Sequence, residues 1–393
     1  MIRHTQKLQQ QALLRRGIAS SRLKITKISD DDSRFQSKPC NTDLKFGTTF
    51  SDHMLTIEYK MGAWQDPQIV PYQNLSISPA ASSLHYGLAC FEGMKAYKST
   101  IDNDETKHDK STSTIRLFRP DKNMERMKNS MERLEMPGYD FDPQELITLM
   151  KTLIRLDEKW IPEGDGYSLY IRPTVVATHP YLGLAAPTEL LLYVITCPVG
   201  PYYPSGFRPV TLWATPSYVR AWPGGTGSNK VGGNYAPTMK PQAEAIKRGY
   251  SQVLWLFGEN HEVTEVGGMN VFFVFQDDND GAYTLVTPPL TRGDILPGVT
   301  RDSILHLANL MGLKTEERFP TMKELQHAST SNRLVEAFGA GTAAVVTPIE
   351  GIHYEGTTLR IPATGKWTQR FWDELTGIQS GRRLGPDGWS VLI

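Results

Sequence analysis

Runs of apolar residues predict strands and helices in mixed order along the chain. Residues 54–59 alternate apolar and polar side chains, as a half-buried strand does, whereas 168–178 and 190–196 are nearly continuous apolar runs typical of buried strands. Met and Leu at helical spacing predict helices over 120–134 and 143–160. Further strands are predicted at 115–118, 210–214, 253–257, 271–275, 284–286 and 343–347, and further helices at about 235–248, 300–311 and 322–326.

Several of these strands follow one another without an intervening helix. A doubly wound parallel sheet needs a helix between successive strands, so this order favours an α/β fold with mixed, largely antiparallel sheets. A chain of 393 residues is long enough for two domains. The predicted parts are a leader and disordered linker at 1–45, a smaller N-terminal domain at 46–197, a Pro/Gly-dense interdomain loop at 198–209 and a larger domain at 210–393. Order is expected to begin near Phe46, and the polar stretch 101–114 is expected to be a surface loop.

Composition and charge exclude several classes of protein. Lys+Arg and Asp+Glu are both 42, so the chain has no charge excess that would attract nucleic acid or an acidic membrane. The uncharged stretch 190–207 is interrupted by prolines and glycines, which argues against a membrane-spanning helix. The 3 cysteines form no CxxC pair, so neither a metal site nor a disulfide framework is expected.

The first 29 residues differ from the rest of the chain in charge. They contain seven Lys or Arg residues and no acidic residue before Asp30, a composition typical of a mitochondrial transit peptide. The alternative is a disordered basic tail on a cytoplasmic protein. A mitochondrial matrix location is the preferred prediction.

The most unusual segment is a glycine-rich stretch at 224–235, in which five glycines surround Lys230. A phosphate-binding P-loop requires Gly before the lysine and Ser or Thr after it, whereas this chain has Asn229 and Val231. A lysine in a cleft can instead lose its proton and attack a carbonyl, which gives a Schiff base. Taken alone, a lysine of this kind is far more often a solvated surface residue.

Three further segments have the chemistry of cofactor binding. Glu265 stands where a predicted strand meets a glycine turn; it is either a strand-end charge or a carboxylate that keeps a ligand nitrogen protonated. The turn at 296–301 leads into a helix whose N-terminus suits a phosphate, and the small-residue turn at 339–344 is either tight packing or an anion nest. Together with a Schiff-base lysine, these are the groups that pyridoxal phosphate requires.

From residue 46 to its C-terminus the chain resembles the branched-chain amino acid aminotransferases, a family of fold-type-IV pyridoxal-phosphate enzymes. The resemblance rests on the four segments above and on six further strings. These strings are FGT at 46–48, SSLHYG at 82–87, FEGMKA at 91–96, NMERM at 123–127, LYIRP at 169–173 and VGPY at 199–202. So many matches in order along the chain make the resemblance specific, and it implies transfer of an amino group between leucine, isoleucine or valine and 2-oxoglutarate.

The resemblance also implies roles for individual residues. Lys230 would form the Schiff base with pyridoxal phosphate and move the substrate proton, Glu265 would pair with the pyridine nitrogen, and Tyr235 would bond the ring hydroxyl. The cofactor phosphate would be held by Arg126, Val299, Thr300 and Thr342. In the substrate pocket, Arg172 beside Tyr170 would accept the side-chain carboxylate of glutamate. The rest of the substrate pocket would be formed by Phe46, Tyr86, Phe91, Tyr202 and Ala343. A homodimer is implied, with the wall around Tyr86 supplied by the neighbouring subunit.

The chain departs from the family pattern at two places. The animal enzymes have a redox CxxC after the position of Thr342, where this chain has Ala344 and Thr347, so thiol regulation of that kind is not expected. Gly268 replaces a frequent threonine near the cofactor. The alternative hypotheses for the function are a D-amino acid transaminase, an aminodeoxychorismate lyase, and a non-catalytic protein that retained the fold.

Overall fold

The computed structural model describes residues 17–29, 32, 38–99, 114–201, 207–277, 280–362 and 365–393. Its contacts divide the chain into two compact units. The first unit runs as far as Gly200 and includes Lys230–Gly233 and Gln379–Ile393; the second comprises Pro201–Asn229 and Asn234–Ile378. Among the described residues, no helix is long and apolar enough to cross a membrane.

The strands of the described chain form one sheet in each unit. In chain order they are β1 (Lys24–Ile25), β2 (His53–Lys60), β3 (Ala63–Trp64), β4 (Gln68–Pro71), β5 (Ala89–Phe91), β6 (Met94–Ser99), β7 (Thr114–Phe118), β8 (Ser168–Ala177), β9 (Leu190–Val199), β10 (Val210–Thr215), β11 (Gln252–Phe257), β12 (Glu262–Val266), β13 (Asn270–Gln276), β14 (Tyr283–Thr287), β15 (Lys314–Glu317), β16 (Leu334–Gly341), β17 (Val345–Tyr354), β18 (Thr357–Arg360) and β19 (Ser390–Leu392). The helices are α1 (Ser82–Tyr86), α2 (Pro120–Arg133), α3 (Pro143–Leu156), α4 (Met239–Lys247), α5 (Val299–Leu310), α6 (Met322–Thr330) and α7 (Lys366–Gln379).

The sheet of the first unit has the order β1-β4-β2-β9-β8-β6-β7-β19, with β3 beside β2 and β5 beside β8. Its central strands β8 and β9 pair antiparallel over their whole length, as their long apolar runs predict. Helix α2 buries Met124, Met127 and Met131, which recur every three or four residues along one face. Helix α3 begins at a proline, and the Asp142 side chain caps it by accepting from the Gln144 N–H.

The sheet of the second unit has the order β12-β11-β10-β17-β16-β13-β14-β15, with β18 beside β17. Strand β10 pairs parallel with both β11 and β17, whereas β13 pairs antiparallel with β14 and β16. The predicted mixed, largely antiparallel α/β architecture is therefore confirmed.

The structure differs from the sequence prediction at several boundaries. Helix α4 begins at Met239 instead of residue 235, because 232–234 and 236–238 form 3₁₀ turns. Residues 339–341 belong to strand β16, and the turn itself is confined to 342–344. Strands β15 and β16 were not predicted. Of the expected loop at 101–114, residues 101–113 lie outside the described residues, and Thr114 begins β7.

Order begins well before Phe46, contrary to expectation. Ile18 is 4% exposed and belongs to the core of the first unit, and β1 pairs parallel with β4. Arg22 and Lys24 both form ion pairs with Asp66. These two cations therefore contribute to the folded unit, an effect that charge composition does not reveal.

Candidate active site

Lys230 is held in the first unit by its own backbone. Its N–H donates to Ser130 Oγ at 2.8 Å, and its carbonyl accepts from the Phe91 N–H at 3.1 Å. The Nζ atom lies 4.9 Å from the centroid of the Phe91 ring. The lysine is therefore half-buried and stands on a fixed backbone beside an aromatic face.

The chain on either side of Lys230 is tied together within the second unit. Asn234 donates through Nδ2 to the carbonyls of Thr226 and Asn229, both at 2.8 Å, and its Oδ1 accepts from the Thr226 hydroxyl. These bonds close the glycine-rich segment into a loop with Lys230 near its tip.

Four of the predicted substrate residues contact one another in the first unit. Arg172 Nη2 donates to the Tyr170 hydroxyl at 3.0 Å, and its guanidinium carbon lies 4.7 Å from the centroid of the Phe91 ring. Phe46 packs edge-on against Tyr170 with centroids 4.9 Å apart. Among the described residues, no hydrogen-bond partner reaches the buried Nε of Arg172. This arrangement leaves a buried donor beside an aromatic surface.

Gly93 and Lys95 belong to the same face of this sheet. A Cβ at Gly93 would lie 2.0 Å from the Tyr170 hydroxyl, so only glycine allows the phenol its place. Lys95 pairs in register with Tyr170, which pairs with Cys197 on the other side. Burial lowers the pKa of Lys95 to about 8, and burial raises the pKa of the Cys197 thiol. The sequence motif contained Lys95, but no pattern marked it as buried.

Arg126 is buried and forms a bidentate ion pair with Glu92. Its Nε and Nη2 donate to the two carboxylate oxygens at 2.8 and 2.7 Å. The Asn123 amide adds a third donor to Glu92 at 2.7 Å. An anion bound to Arg126 would therefore share the guanidinium with Glu92, a partner that the sequence did not indicate.

Glu265 has donors on both carboxylate oxygens and is 3% exposed. Oε1 accepts from the Leu296 N–H at 2.8 Å and from Asn270 Nδ2 at 3.3 Å. Oε2 lies 3.0 Å from Arg220 Nε in an ion pair that is close but not aligned as a hydrogen bond. Sequence reasoning assigned no role to Arg220 or Asn270, because their relation to Glu265 depends on how the strands fold together.

A cavity of about 170 Å³ opens beside this carboxylate. Its lining includes Glu265, Tyr235, Gly268 and Leu296. Asn270 also donates to the Leu296 carbonyl at 2.9 Å. A Cβ at Gly298 would lie 2.1 Å from Asn270 Oδ1, so the asparagine packs directly on the turn before α5.

The N-terminus of α5 follows that turn without a side-chain cap. Its N-cap is Gly298, and the first helical residues are Val299 and Thr300. The first N–H groups of a helix have no partner within the helix and attract anions. Thr342 and Ala343 lie in the turn between β16 and β17. Val345, the first residue of β17, has φ +62°, a conformation that β-branched residues rarely adopt.

Two predicted pocket residues are not joined to these clusters by the described contacts. Tyr86 is exposed and its hydroxyl donates to the Leu182 carbonyl. Tyr202 lies outside the described residues. The structure thus forms one group from Lys230, Phe91, Tyr170, Arg172 and Phe46 in the first unit. It forms another from Tyr235, Glu265 and the 296–300 turn in the second.

Comparison with known proteins identifies the family. Residues 89–352 match the sequence profile described as Amino-transferase class IV. A branched-chain-amino-acid aminotransferase of Dictyostelium discoideum is 51% identical over 366 residues, which are 91% of this chain and 92% of that protein. The chain belongs to the branched-chain-amino-acid aminotransferases of class IV. It is therefore an enzyme, a branched-chain-amino-acid transaminase, as the sequence motifs predict.

Relatives of this aminotransferase come from two compartments. A cytosolic branched-chain-amino-acid aminotransferase of Saccharomyces cerevisiae is 49% identical, over 94% of this chain and 98% of that protein. A mitochondrial one of Mus musculus is also 49% identical, over 88% of this chain and 86% of that protein. Close sequence similarity therefore does not distinguish a cytosolic from a mitochondrial enzyme.

Solved structures confirm the fold of the aminotransferase. The branched-chain amino acid aminotransferase of Escherichia coli superposes with a TM-score of 0.68 at 26% identity, over 87% of this chain and 99% of that one. The T.th. enzyme, a branched-chain amino acid aminotransferase solved in complex with N-(5'-phosphopyridoxyl)-L-glutamate, has a TM-score of 0.64 at 27% identity, over 86% and 97% of the two chains. The predicted fold-type-IV architecture is confirmed.

Proposed function

We propose that this aminotransferase uses pyridoxal phosphate to move an amino group between leucine, isoleucine or valine and 2-oxoglutarate, in branched-chain amino acid biosynthesis or catabolism. The observation that carries the proposal is the carboxylate of Glu265, which is fixed by donors and lines a cavity together with Tyr235 and Leu296. A buried anion beside a cavity suits a ligand with a protonated ring nitrogen.

The residues of the second unit fit this cofactor. Glu265 would hold the pyridine nitrogen in its protonated state, and Tyr235 would bond the ring hydroxyl. The uncapped N–H groups of Val299 and Thr300 would bind phosphate, with the Thr342 hydroxyl as a further donor. Arg126, in the first unit, stays a predicted phosphate ligand. When bound, pyridoxal phosphate supplies a ring that withdraws the electron pair left by loss of the substrate α-proton.

Lys230 would form the Schiff base with the cofactor and carry the proton to and from the substrate α-carbon. Its anchored N–H and carbonyl keep the backbone still while the side chain moves. The neighbouring Phe91 ring lies 4.9 Å from the amine nitrogen and limits the positions that the side chain can adopt.

Arg172 would select between the two kinds of substrate. A glutamate side-chain carboxylate would satisfy its buried Nε, which has no partner among the described residues, and would lie beside the Tyr170 hydroxyl. For leucine, the rings of Phe46, Phe91 and Tyr170 offer an apolar surface. The remaining pocket residues Tyr86, Tyr202 and Ala343 stay as predicted members.

We also propose a homodimer. Exposed apolar side chains cluster around α1 and the loop before β9: Leu84, Tyr86, Tyr181, Leu182 and Leu184. A surface of this kind is typical of an interface between subunits. Light scattering should give twice the chain mass, and Leu184→Lys should shift it towards the monomer. A monomeric wild-type protein would contradict the proposal.

We propose a mitochondrial location on the basis of the basic, acid-free start of the chain. A fluorescent protein fused behind residues 1–40 should enter mitochondria. Uniform cytosolic fluorescence would favour the cytoplasmic alternative.

The substitution Lys230→Ala tests the proposed function. It should abolish turnover of L-leucine with 2-oxoglutarate and the visible band of the lysine-bound cofactor. Lys247→Ala, at the exposed end of α4, is the matched control and should keep both. Full activity of the Lys230→Ala protein would end the assignment.

A further inference from the structure

Arg220 connects three segments of the second unit. Its Nε lies 3.0 Å from Glu265 Oε2, and its Nη2 donates to the carbonyl of Gly227 at 3.4 Å and to the carbonyl of Asp294. Gly227 belongs to the glycine-rich loop, and Asp294 precedes the turn before α5. Only 8% of the Arg220 side chain is exposed, so these contacts are screened little by solvent.

The other oxygen of Glu265 accepts from two neutral donors. These are the Leu296 N–H and the Asn270 amide, at 2.8 and 3.3 Å. Two neutral donors do not compensate a buried negative charge as a guanidinium does. The geometry therefore makes Arg220 a buried cation that offsets the charge of Glu265 at Oε2.

We propose that Arg220 is a positioning residue that keeps Glu265 anionic and aimed into the cavity, and so sets the protonation of a pyridine nitrogen bound there. The inference rests on the proposed function. Without Arg220, burial favours the neutral acid of Glu265. A neutral acid does not stabilise a protonated ring, so the ring would withdraw electrons less strongly.

Arg220→Lys and Arg220→Met test this role in the holoenzyme. Arg220→Met should weaken pyridoxal-phosphate binding about tenfold or more, which corresponds to about 1.4 kcal/mol per factor of ten. It should also move the pH midpoint of the visible band by about one unit. Arg220→Lys keeps the charge, but a single ammonium group cannot contact Glu265 and both backbone carbonyls at once. A weaker effect in the same direction is therefore expected.

A second variant separates positioning from mere stabilisation. Because Arg220 acts through Glu265, Arg220→Met should add no further spectral change to Glu265→Gln. The double variant also contains no buried unpaired charge, so it should fold even where Arg220→Met alone does not. Arg318→Met is the matched control: this arginine of the second unit pairs with Glu316 and Glu324, and its loss should lower stability while leaving cofactor affinity and spectrum unchanged.

Two outcomes would be distinct failures. If the wild-type protein binds pyridoxal phosphate without a visible band, the proposed function itself fails. The inference is overturned if the wild-type band is present and Arg220→Met alters only the melting temperature. It is also overturned if the spectral shifts of Arg220→Met and Glu265→Gln add up in the double variant, because Arg220 would then not act through Glu265.

Discussion

The ion pair between Arg126 and Glu92 gives the sharpest prediction about the first unit. Glu92 is fully buried and accepts from Arg126 Nε and Nη2 at 2.8 and 2.7 Å, and from the Asn123 amide at 2.7 Å. Arg126→Met leaves the carboxylate with neutral donors. Removal of one partner of a buried pair costs about 3–5 kcal/mol, so the free energy of unfolding should fall by that amount.

Equilibrium unfolding in urea measures this loss, with the cofactor removed from every sample so that binding makes no contribution. The double variant Glu92→Gln/Arg126→Met carries no buried charge and should regain most of the stability. Lys122→Met is the control on the same helix. Lys122 pairs with Glu125 at 3.1 Å on the exposed face, where such a pair is worth at most about 1 kcal/mol. A loss below about 1 kcal/mol for Arg126→Met, or no recovery in the double variant, would refute the reasoning.

Three further predictions concern other buried positions. Burial lowers the pKa of Lys95 from 10.5 to about 8, so the charged lysine destabilises the folded state below pH 8. The free energy of unfolding of Lys95→Met should therefore exceed that of the wild type by about 3 kcal/mol below pH 8, and the difference should vanish as the pH rises to 10.5. Denaturation at several pH values measures this difference. A gap independent of pH would contradict this. Gly93→Ala should displace the Tyr170 ring and raise KM for glutamate while the protein stays folded; unchanged kinetics would count against the contact. Ile18→Ala should lower the free energy of unfolding in urea by roughly 2–5 kcal/mol; an unchanged value would show that Ile18 contributes nothing to the core.

Sequence patterns were sufficient for the elements that bury whole faces. The apolar runs of β8 and β9 and the methionine spacing of α2 located these elements within a few residues. Strands β15 and β16 were nevertheless missed. The buried strand β16 ends in the small residues 339–341, which predict a turn, and β15 is a four-residue strand of charged and polar residues whose place depends on pairing with β14. Such pairing is a long-range contact that no local pattern encodes.

In the candidate site, too, some residues could be predicted from local sequence and others could not. Lys230 and Glu265 stand in glycine-rich segments that are unusual in composition, so the sequence marks them. Arg220 and Asn270 stand in ordinary surroundings and acquire their role only because folding brings β12, β13 and the 294–298 turn together. Likewise, the basic composition of residues 1–29 predicts a leader, and a single apolar residue such as Ile18 gives no pattern that would indicate its place in the core.

The visible absorption of the protein loaded with pyridoxal phosphate tests the central claim most directly. L-leucine added without any keto acid should remove the band of the lysine-bound cofactor, and 2-oxoglutarate added afterwards should restore it. That sequence of changes would establish the cofactor and both substrates in one sample. A band that ignores L-leucine but responds to D-alanine, or no band at all, would contradict the account.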